Sequence, residues 1–417
     1  MAISVVTLND HAGGAGDSRA TELRDMVSAS GGVLCGDAKA EALVCDVRGI
    51  RSTENLTLLQ SALQGPISKM PRNGRIVMIA NDTSLLLGRE QAVAAASAAA
   101  VQGFVKSMAK EVAGKGITAN TLMASEDLDS RQGLSGPLLY FLSKRSSFVT
   151  GQTLKLSNNN QFRASENPGE SFSVRGKRVV LTGASRGIGA YTAKLFSAEG
   201  ADLLLVDHPS MEKTLSGFAA TLGCKSVSLD VADAGSPAAL KSSILKAFGD
   251  HHMDVVVHNA GITRDKSYKK MSAEGFKDVI DVNLSSIIRM DDMLFSDCFK
   301  AGSRAVYLSS ISGIAGTFGQ TNYGCSKAGV VGYVASLGAS VQSHGIGVNA
   351  VAPGFIETEM TGKIPLLTRN VGRHMNALLQ GGFPVDVAEA ILFLSTPAAA
   401  GVNGNTLRVC GNHLLGA

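Results

Sequence analysis

Two side chains in the second half of the chain have types and a spacing suited to proton transfer. Tyr323 and Lys327 are four positions apart, so on a helix they lie on the same face. Because an ammonium beside a phenol stabilises the phenolate, we expect Lys327 to lower the pKa of Tyr323 toward neutrality. Such a phenol is a useful general acid near pH 7. Taken alone, this spacing also recurs by chance in ordinary surface pairs.

A hydroxyl that could act with this pair lies 13 residues upstream of the tyrosine, at the end of an apolar run. Ser310 could hydrogen-bond the substrate carbonyl that Tyr323 protonates. Ser309 and Ser312 are alternatives for this role, and the position relative to Tyr323 favours Ser310.

An asparagine in the segment DVIDVNLSS is the fourth candidate for this chemistry. Asn283 could hold a water molecule that relays protons to Lys327. The structural alternative is a buried asparagine that bends a helix.

A glycine-rich turn, TGASRGIG at 182–189, follows an apolar run and opens a helix-like segment. Glycines allow a tight turn and let backbone N–H groups approach a pyrophosphate, while the helix N-terminus supplies favourable partial charge. The turn residues predicted to bind a dinucleotide are Gly183, Ser185, Arg186, Gly187, Ile188 and Gly189.

An aspartate ends the next apolar run, 24 residues beyond Gly183. There Asp207 can accept hydrogen bonds from the adenosine ribose hydroxyls and repel a 2′-phosphate, which predicts NAD(H) in preference to NADP(H). Two alternatives stay open: Asp207 could cap the turn before Pro209, and Arg186 could contact a phosphate.

Residues at the ends of the following strands complete the predicted dinucleotide site. Asp230 and its neighbour Val231 are expected at the adenine edge, with capping of the next turn as the alternative role of Asp230. Asn259, Ala260 and Gly261 are expected under the cofactor, or they simply terminate their strand.

Alternating apolar runs and helical stretches must position these side chains. The runs lie at 178–182, 203–206, 255–257, 305–308, 348–351 and 406–409. Because helices separate them, the connections are crossovers, which predicts a parallel sheet with helices on both faces. This is the doubly wound, Rossmann-like architecture.

Taken together, these segments resemble the short-chain dehydrogenase/reductase family. TGASRGIG, NAG, the asparagine of VNLSS, SSISG, YGCSK and VAPGFIET occur in the family's order over residues 174–412. NAGITRD, VIDVNLSS, GQTNYGCSKAG and VNAVAPGFIETEM are most similar to the 3-oxoacyl-[acyl-carrier-protein] reductases. The long chain with a linked N-terminal half is similar to their high-molecular-weight actinobacterial type.

The resemblance implies roles for particular residues. Ser310, Tyr323 and Lys327 would form the catalytic triad, with Asn283 as the relay member. The residues that it places around the nicotinamide carboxamide are Pro353, Gly354, Ile356 and Thr358. Ser312 departs from the family pattern, which often has an apolar residue at that position.

The implied reaction is the NADH-dependent reduction of a 3-oxoacyl thioester of coenzyme A or of acyl carrier protein. Another short-chain dehydrogenase activity, on a sugar, polyol or steroid alcohol, is an alternative, as is a scaffold that binds NAD without turnover. Lys363, Arg369 and Arg373, in a segment resembling the family's substrate-covering loop at 359–384, could attract the phosphates or the acidic carrier. A solvated basic loop is the alternative.

The first half of the chain is an altered copy of the second. A shift of 229 positions places 94–120 on 323–349 and 75–81 on 304–310, and 141–156 echoes 393–409 at a larger offset. An internal duplication explains this order.

The copy lacks the chemistry of the second half. Under the same shift the counterparts of Tyr323, Lys327, Ser310, Pro353 and Gly354 are Ala94, Ala98, Asn81, Ala124 and Ser125. The start of the chain also shows no strand followed by a glycine fingerprint, and only a stub near 126–135 replaces the substrate loop. We therefore expect this half neither to bind a dinucleotide in the usual way nor to catalyse. We expect the two halves to mimic a dimer and two chains to form a homodimer.

Length and composition agree with this organisation. The 417 residues fit a degenerate Rossmann or flavodoxin-like domain at 1–156, a linker at 157–175 and a catalytic domain at 176–417. A net charge of +4 gives no basic tract for nucleic acid, and six cysteines without metal-binding spacing predict neither a disulfide framework nor a metal site. No leader or membrane span is expected, the Ala-rich 91–105 segment being read as a packed helix, so we predict a soluble cytoplasmic protein.

Overall fold

The structure is a computed structural model in which two parallel sheets carry helices on their faces. It describes residues 1–9, 15–29, 31–35, 40–125, 128, 133–157, 171–362 and 366–414. The predicted linker at 157–175 therefore lies largely outside the described residues.

The N-terminal sheet has six strands in the order β2-β1-β3-β4-β5-β6, all parallel. Its strands are β1 (Ala2–Asn9), β2 (Val33–Leu34), β3 (Ala42–Gly49), β4 (Arg75–Asn81), β5 (Thr118–Ala124) and β6 (Thr153–Lys155). Its helices are α1 (Ala15–Ala29), α2 (Thr57–Lys69), α3 (Ala92–Val112) and α4 (Ser135–Leu142). This order is the flavodoxin-like form of the doubly wound fold. The strand β1 opens the chain and precedes the glycines of HAGGAGDS, whose spacing does not match the fingerprint at 182–189. Residues 10–14 lie outside the described residues.

The C-terminal sheet has seven strands in the order β13-β12-β11-β10-β7-β8-β9, again all parallel. Its strands are β7 (Arg178–Thr182), β8 (Asp202–Asp207), β9 (Lys225–Ser228), β10 (Val255–His258), β11 (Arg304–Leu308), β12 (Gly347–Pro353) and β13 (Thr406–Val409). The order reverses between β7 and β10, so the ligand crevice of a doubly wound sheet lies at the carboxyl ends of these two strands. The predicted pair of Rossmann-like parallel-sheet domains is confirmed.

The described residues of the C-terminal half form ten α-helices. They are α5 (Gly187–Ala198), α6 (Glu212–Leu222), α7 (Ser236–Phe248), α8 (Ala273–Ile280), α9 (Ser286–Asp297), α10 (Ser312–Ala315), α11 (Thr321–Val341), α12 (Glu359–Gly362), α13 (Leu366–His374) and α14 (Pro384–Leu394). Central strands such as β4 and β12 are buried along their whole length, because helices cover both faces of the sheet. The edge strand β9, with the polar sequence KSVS, is largely exposed.

Equivalent contacts recur in the two halves and support the internal duplication. Asn120 donates to a carbonyl and accepts from an amide of the segment 149–152, at 2.9 and 3.0 Å. Asn349, 229 positions later, makes the same two bonds at the same lengths to the segment 402–405. The loops after α3 and α11 also end alike, with a left-handed glycine at Gly116 and at Gly345.

The two domains share one apolar cluster instead of having fully separate cores. It joins the sheet faces that meet where β6 lies beside β13 and α4 lies against α14. The rings of Tyr140 and Phe393 stack with centroids 4.1 Å apart, and the side-chain amide of Asn405 bonds both backbone groups of Lys155. The halves thus meet chiefly through these elements, and not through the tyrosine-bearing helix and its Ala-rich counterpart.

An arginine adds charged contacts at this boundary. Arg145, just beyond α4, donates to Glu199 at 2.8 Å and to Glu389 at 2.9 Å. Glu199 directly follows α5, and Glu389 lies on α14. The N-terminal domain is therefore tied to the helix that the glycine-rich turn opens.

One helix in the described part of the chain, Arg89–Lys115, is long and apolar enough to cross a membrane by length and composition alone. It contains α3, whose Ala98, Val101 and Val105 are buried in the N-terminal domain. The Ala-rich segment is thus a helix packed against its sheet, and core helices of this kind pass the same test.

Substitution of one glycine should test the shared core. A Cβ on Gly136 of α4 would lie 1.9 Å from the carbonyl oxygen of Ala398, so Gly136→Ala should lower the free energy of unfolding by roughly 1–3 kcal/mol. Gly217 of α6 has open space around it, and Gly217→Ala should raise the same quantity by about 0.5–1 kcal/mol. Urea unfolding of both variants measures this. Equal behaviour of the two variants would contradict the tight contact between the domains.

Candidate active site

The glycines of the turn between β7 and α5 serve two different needs. A Cβ on Gly183 would lie 2.9 Å from the side-chain nitrogen of Asn259, and one on Gly189 would lie 2.1 Å from the carbonyl oxygen of Gly183. These two glycines are required for close packing. Gly187 has open space around its Cβ position and a φ of +56°, so the backbone there is accessible at the first residue of α5.

The NAG segment at 259–261 is hydrogen-bonded to this turn. The side chain of Asn259 donates to the carbonyls of Thr182 and Gly183 at 3.0 and 2.9 Å. The hydroxyl of Thr182 accepts from the backbone N–H groups of Asn259 and Ala260 at 3.1 and 3.0 Å. Asn259 and Ala260 therefore fix the shape of the glycine turn and do more than terminate β10.

This arrangement fits a dinucleotide. The open backbone at Gly187 and the N-terminus of the twelve-residue α5 form the kind of cradle that receives a pyrophosphate. Arg186 is exposed and has no ion-pair partner among the described residues, and Ile188 is part-buried in the first turn of α5. Arg186 stays available for a phosphate.

Asp207 at the end of β8 points to the glycine turn. Its carboxylate accepts from the backbone N–H of Ser185 at 2.9 Å, from the Ser185 hydroxyl, and from the N–H of His208. The turn that begins at Pro209 is capped by the side chain of His208, which accepts from the N–H of Ser210. The side chain of Asp207 therefore stands beside the cradle, and the capping role belongs to its neighbour.

Asp230 caps the next turn, the alternative role predicted for it from the sequence. Its carboxylate accepts from the N–H of Ala232 at 2.9 Å, which caps the following turn, and it lies 3.5 Å from the imidazole of His208. The carbonyl of Val231 accepts from the Ser236 hydroxyl. These contacts leave both residues part-exposed at the carboxyl end of β9.

Lys327 is almost completely buried, with 3% of its surface exposed. Its ammonium donates to the carbonyl of Leu308 at 2.7 Å and lies 5.7 Å from the centroid of the Tyr323 ring. Burial lowers the pKa of Lys327 to about 8, because the charged form loses its hydration. The spacing of four on α11 thus brings the two side chains together as predicted.

The predicted effect on the tyrosine was wrong in direction. Burial raises the pKa of Tyr323 above its ordinary value, and a hydrogen bond with Ser310 opposes this without overcoming it. The nearby carboxylate of Asp265 raises the pKa further. Desolvation therefore dominates over the neighbouring lysine in this structure, and Tyr323 is a protonated phenol, the form needed to donate a proton.

The three serines near β11 have separate partners. The hydroxyl of Ser309 donates to the carbonyl of Lys327 at 2.8 Å and so fastens β11 to α11. That of Ser312 donates to the side chain of Gln320 at 3.0 Å. The hydroxyl of Ser310 accepts from the N–H of Ser312 at 3.1 Å, and among these three serines it is the one whose hydrogen bonding lowers the pKa of the Tyr323 phenol. The structure thus brings Ser310, Tyr323 and Lys327 together.

Asn283 lies in a π-helical turn, Asp281–Ser285, between α8 and α9. Its amide accepts from the N–H of Ile262 at 2.8 Å, donates to the carbonyl of Ile262 at 3.0 Å and donates to the Ser326 hydroxyl at 3.1 Å. A Cβ on Gly261 would lie 3.2 Å from the Asn283 oxygen and 3.4 Å from the Lys327 ammonium. Asn283 therefore occupies an irregular helix, as its structural alternative proposed, and also stands beside the lysine.

The segment after β12 closes the other side of the crevice. Pro353 ends the strand, and a Cβ on Gly354 would lie 2.6 Å from that of Cys410, so only glycine fits. Ile356 is buried, and Thr358 is part-exposed at the start of the loop that leads to α12.

The basic residues of the substrate-loop segment are engaged within the protein. Arg369 and Arg373 of α13 both donate to the carboxylate of Glu357. These bonds hold the pKa of Glu357 below its ordinary value, and the bond from Arg373 has the larger effect. The expectation that the two arginines attract a substrate's anionic groups is therefore not supported, because their charge faces Glu357. Lys363 lies outside the described residues. Sequence reasoning missed Glu357, although it stands in the VAPGFIETEM motif.

In the N-terminal domain the equivalent crevice is filled. Arg48 lies six positions after Ala42, which pairs with β4 as Val255 pairs with β11, so Arg48 takes the place of Gly261. Its buried side chain binds the carboxylate of Asp46 at 2.9 Å and reaches the carbonyl of Ser125. Its backbone carbonyl accepts from Asn81, the counterpart of Ser310.

Comparison with known proteins gives consistent matches for the C-terminal domain. A family model described as enoyl-(acyl carrier protein) reductase matches residues 183–411. A protein named 3-oxoacyl-[acyl-carrier-protein] reductase from Escherichia coli is 37% identical over 243 residues, which cover 58% of this chain and 98% of that protein.

Two more relatives of the same name agree. The protein from Vibrio cholerae is 36% identical over 242 residues, covering 58% of this chain and 98% of its own length. That from Chlamydia trachomatis is 34% identical over 239 residues, covering 56% of this chain and 96% of its own length.

Replacing the buried lysine should stabilise the protein in a pH-dependent way. The folded-state pKa of Lys327 is about 8 against an ordinary 10.5, so at pH 7 folding must bury an ammonium. Lys327→Met removes this cost and should raise the free energy of unfolding at pH 7 by about 1–3 kcal/mol, after loss of the bond to Leu308.

The wild type regains stability relative to this variant as pH rises from 8 toward 10.5, because its folded state then loses the proton first. The extra free energy of unfolding of Lys327→Met over the wild type should accordingly be largest below pH 8 and shrink above it. Urea unfolding at pH 7, 8 and 9 measures the difference. A variant less stable than the wild type at pH 7 would refute the buried charge.

Proposed function

The chain belongs to the short-chain dehydrogenase/reductase family, and from this we propose that its C-terminal domain reduces 3-oxoacyl thioesters to 3-hydroxyacyl thioesters with NADH. The observation that carries the proposal is the grouping of three side chains: the Lys327 ammonium is buried 5.7 Å from the Tyr323 ring, and Ser310 is near enough to the phenol to lower its pKa. Two hydroxyl donors at one point are what the oxygen of a ketone needs as it gains charge. Thioesters of acyl carrier protein and of coenzyme A both carry such a ketone.

The residues divide the work as follows. The nicotinamide, when bound, supplies the hydride that reaches the ketone carbon. Tyr323 gives its phenolic proton to the ketone oxygen, and Ser310 donates a hydrogen bond to the same oxygen while charge develops there. Lys327 stabilises the phenolate that remains and binds the ribose of the nicotinamide half. Pro353, Gly354, Ile356 and Thr358 would hold the carboxamide of that ring.

Return of the proton completes the cycle. Lys327 has a pKa near neutrality, so it can pass a proton to Tyr323 and recover it from solvent. Asn283 lies next to Lys327 across Gly261, and we assign it the water that makes this relay. Its side-chain oxygen already accepts from Ile262, so the water would use the remaining lone pair.

The relatives favour the 3-oxoacyl reaction among the alternatives. They are matched over 96–98% of their length, and all three carry the 3-oxoacyl name. The family model matches residues 183–411, and its description names an enoyl-(acyl carrier protein) reductase, so it names the same carrier. The Ser310 hydroxyl favours a carbonyl oxygen as the group reduced. A sugar, polyol or steroid substrate has no comparable support.

NADH as the preferred cofactor is supported by the carboxylate of Asp207. Its negative charge lies beside Ser185 of the glycine turn, where a 2′-phosphate of NADPH would be repelled. Arg186 is the opposing feature, because it is exposed and uncompensated.

The N-terminal copy, residues 1–156, acts in this proposal as a structural partner that neither binds a dinucleotide nor catalyses. Residues 157–175 link it to the catalytic domain at 176–417. We further propose that two chains associate as a homodimer in the cytoplasm, through the helix α11 and its Ala-rich counterpart α3, since neither is the main contact inside the chain.

Removal of one phenolic oxygen tests the proposed reaction. Tyr323→Phe should lower kcat for NADH oxidation with acetoacetyl-coenzyme A by about 100-fold or more, because the general acid is lost. Tyr191→Phe, at an exposed tyrosine of α5, is the matched control and should keep wild-type kcat. Fluorescence titration with NADH should give similar Kd values for all three proteins. No oxidation of NADH or NADPH by the wild type with any 3-oxoacyl thioester would reject the assignment.

A pair of variants tests the cofactor preference. Asp207→Asn keeps a hydrogen-bond acceptor but removes the charge, so the ratio of kcat/KM for NADH over NADPH should fall by about 10-fold. Ser185→Ala removes the hydroxyl bond to Asp207 but keeps the backbone N–H bond and the charge, so it should lower both kcat/KM values and leave their ratio unchanged. A wild-type preference for NADPH would overturn this part of the proposal.

A further inference from the structure

A strongly basic loop lies between β10 and α8. The segment at 263–270, TRDKSYKK, has four cationic side chains and one carboxylate. The exposed cations are Arg264, Lys266, Lys269 and Lys270. None of them forms an ion pair within the described parts of the chain. The carboxylate of Asp265 accepts from the side chain of Gln320, so it is partly engaged elsewhere.

Hydrogen bonds place this loop at the mouth of the site. The N–H of Lys266 donates to the carbonyl of Gly319 at 2.9 Å, and the side chain of Asn322 donates to the carbonyl of Arg264 at 3.2 Å. Asn322 directly precedes Tyr323 on α11. The charge of Asp265 is close enough to raise the pKa of Tyr323. The basic loop therefore borders the residues that surround the proposed proton donor.

Two aromatic side chains stand out from the same place. Phe318 is 94% exposed and Tyr268 is 74% exposed. Each is within two residues of the hydrogen bond that joins Lys266 to Gly319. Phe318 lies between two glycines with positive φ, Gly316 at +72° and Gly319 at +79°. The backbone is thus turned sharply on both sides of a phenyl ring that projects into water.

Two other cations near the mouth share one carboxylate. Arg369 and Arg373 of α13 both bind Glu357, which offsets one of their two charges. The loop at 263–270 therefore holds four exposed cations without an ion-pair partner among the described residues, in addition to Arg186 at the glycine turn. Exposed aromatic rings do not increase solubility, so solubility alone does not explain why Tyr268 and Phe318 lie beside these cations.

We propose that residues 264–270 and Phe318, here called the basic rim, dock the acidic surface of the acyl carrier protein that presents the thioester to the site. This inference rests on the proposed reduction of 3-oxoacyl thioesters and names the partner that delivers them. The cations would steer and orient the negatively charged carrier. Phe318 and Tyr268 would supply the aromatic contacts that anchor protein interfaces.

The carrier protein fits this surface better than coenzyme A does. The cations and both rings of the rim are exposed, and a phosphate of coenzyme A would contact one or two cations without covering the rings. A protein surface can cover both rings and face four cations together. Because the site at Tyr323 lies directly beside the rim, an acyl group on a flexible arm would enter from there.

Charge reversal with two substrates tests the docking surface. Lys266→Glu/Lys270→Glu should lower kcat/KM for acetoacetyl-carrier protein at least 10-fold, mainly through KM, and leave kcat/KM for acetoacetyl-coenzyme A within twofold. Phe318→Ser should also lower kcat/KM for the carrier-bound substrate alone. The exposure of this ring means that its removal leaves folding unaffected.

A charge-matched variant is the control. Lys69 at the end of α2 and Lys246 at the end of α7 are both exposed, and neither belongs to the basic rim, the glycine turn or the helices of the proposed dimer interface. Lys69→Glu/Lys246→Glu changes net charge equally and should leave kcat/KM for both substrates unaffected. Raising the salt concentration should lower the wild-type kcat/KM for the carrier-bound substrate, because salt screens the charges. The same change should lower kcat/KM of the rim variant less.

The outcomes separate this inference from the proposed reaction. An equal fall with both substrates would assign the rim to the entrance in general and overturn carrier docking. Unchanged kinetics in both rim variants would overturn it as well. Reduction of neither substrate by the wild type would refute the proposed function itself, whereas reduction of the coenzyme A substrate with no effect at the rim refutes only the docking surface.

Discussion

The active site depends on keeping one ammonium away from water. Lys327 is buried against β11 with the carbonyl of Leu308 as its hydrogen-bond acceptor, and this costs stability because a charge loses its hydration. Its surroundings allow for that charge. Gly261 leaves room beside it, Asn283 stands across the gap, and Ser309 holds the backbone of the lysine against the strand. A side chain at Gly261 or a regular helix at Asn283 would close the space in which the lysine meets the phenol.

The N-terminal domain shows what the same scaffold becomes without that demand. Ala98 replaces the lysine, and no ammonium has to be accommodated. The freed space is taken by Arg48, which stands where Gly261 would be and neutralises the buried Asp46. The strand order and the asparagine clamp at Asn120 persist, because they serve the fold in both halves. Replacement of the lysine and filling of the crevice therefore go together, because the Arg48–Asp46 ion pair occupies the place that Gly261 leaves open beside Lys327 in the second domain.

Much of this site could be predicted from sequence because its signals are local. The spacing of Tyr323 and Lys327 fixes a common helix face, and the glycine turn between a strand and a helix has few alternatives. The direction of the tyrosine pKa could not be predicted, since it depends on burial, which spacing does not report. The pairing of Arg373 with Glu357 was likewise hidden, because a run of cations looks the same whether it faces solvent or a carboxylate. The strand predicted to end at Asp230 lies slightly earlier, as β9 at Lys225–Ser228, and its polar sequence shows no apolar run because an edge position tolerates polar residues.

The contact between the domains gives a physical reason for retaining a copy in which Ala94, Ala98 and Asn81 replace the tyrosine, lysine and serine of the site. A sheet that ended at β13 would expose unpaired backbone groups along an edge, which is a liability for any soluble protein. Here the amide of Asn405 and the bridge between Leu156 and Val402 cover that edge. The same contact holds α14 through the ring of Tyr140 and, through Arg145, the end of the helix opened by the glycine turn. The first domain therefore stabilises the elements that shape the cradle, and it can do so without any catalytic residue of its own.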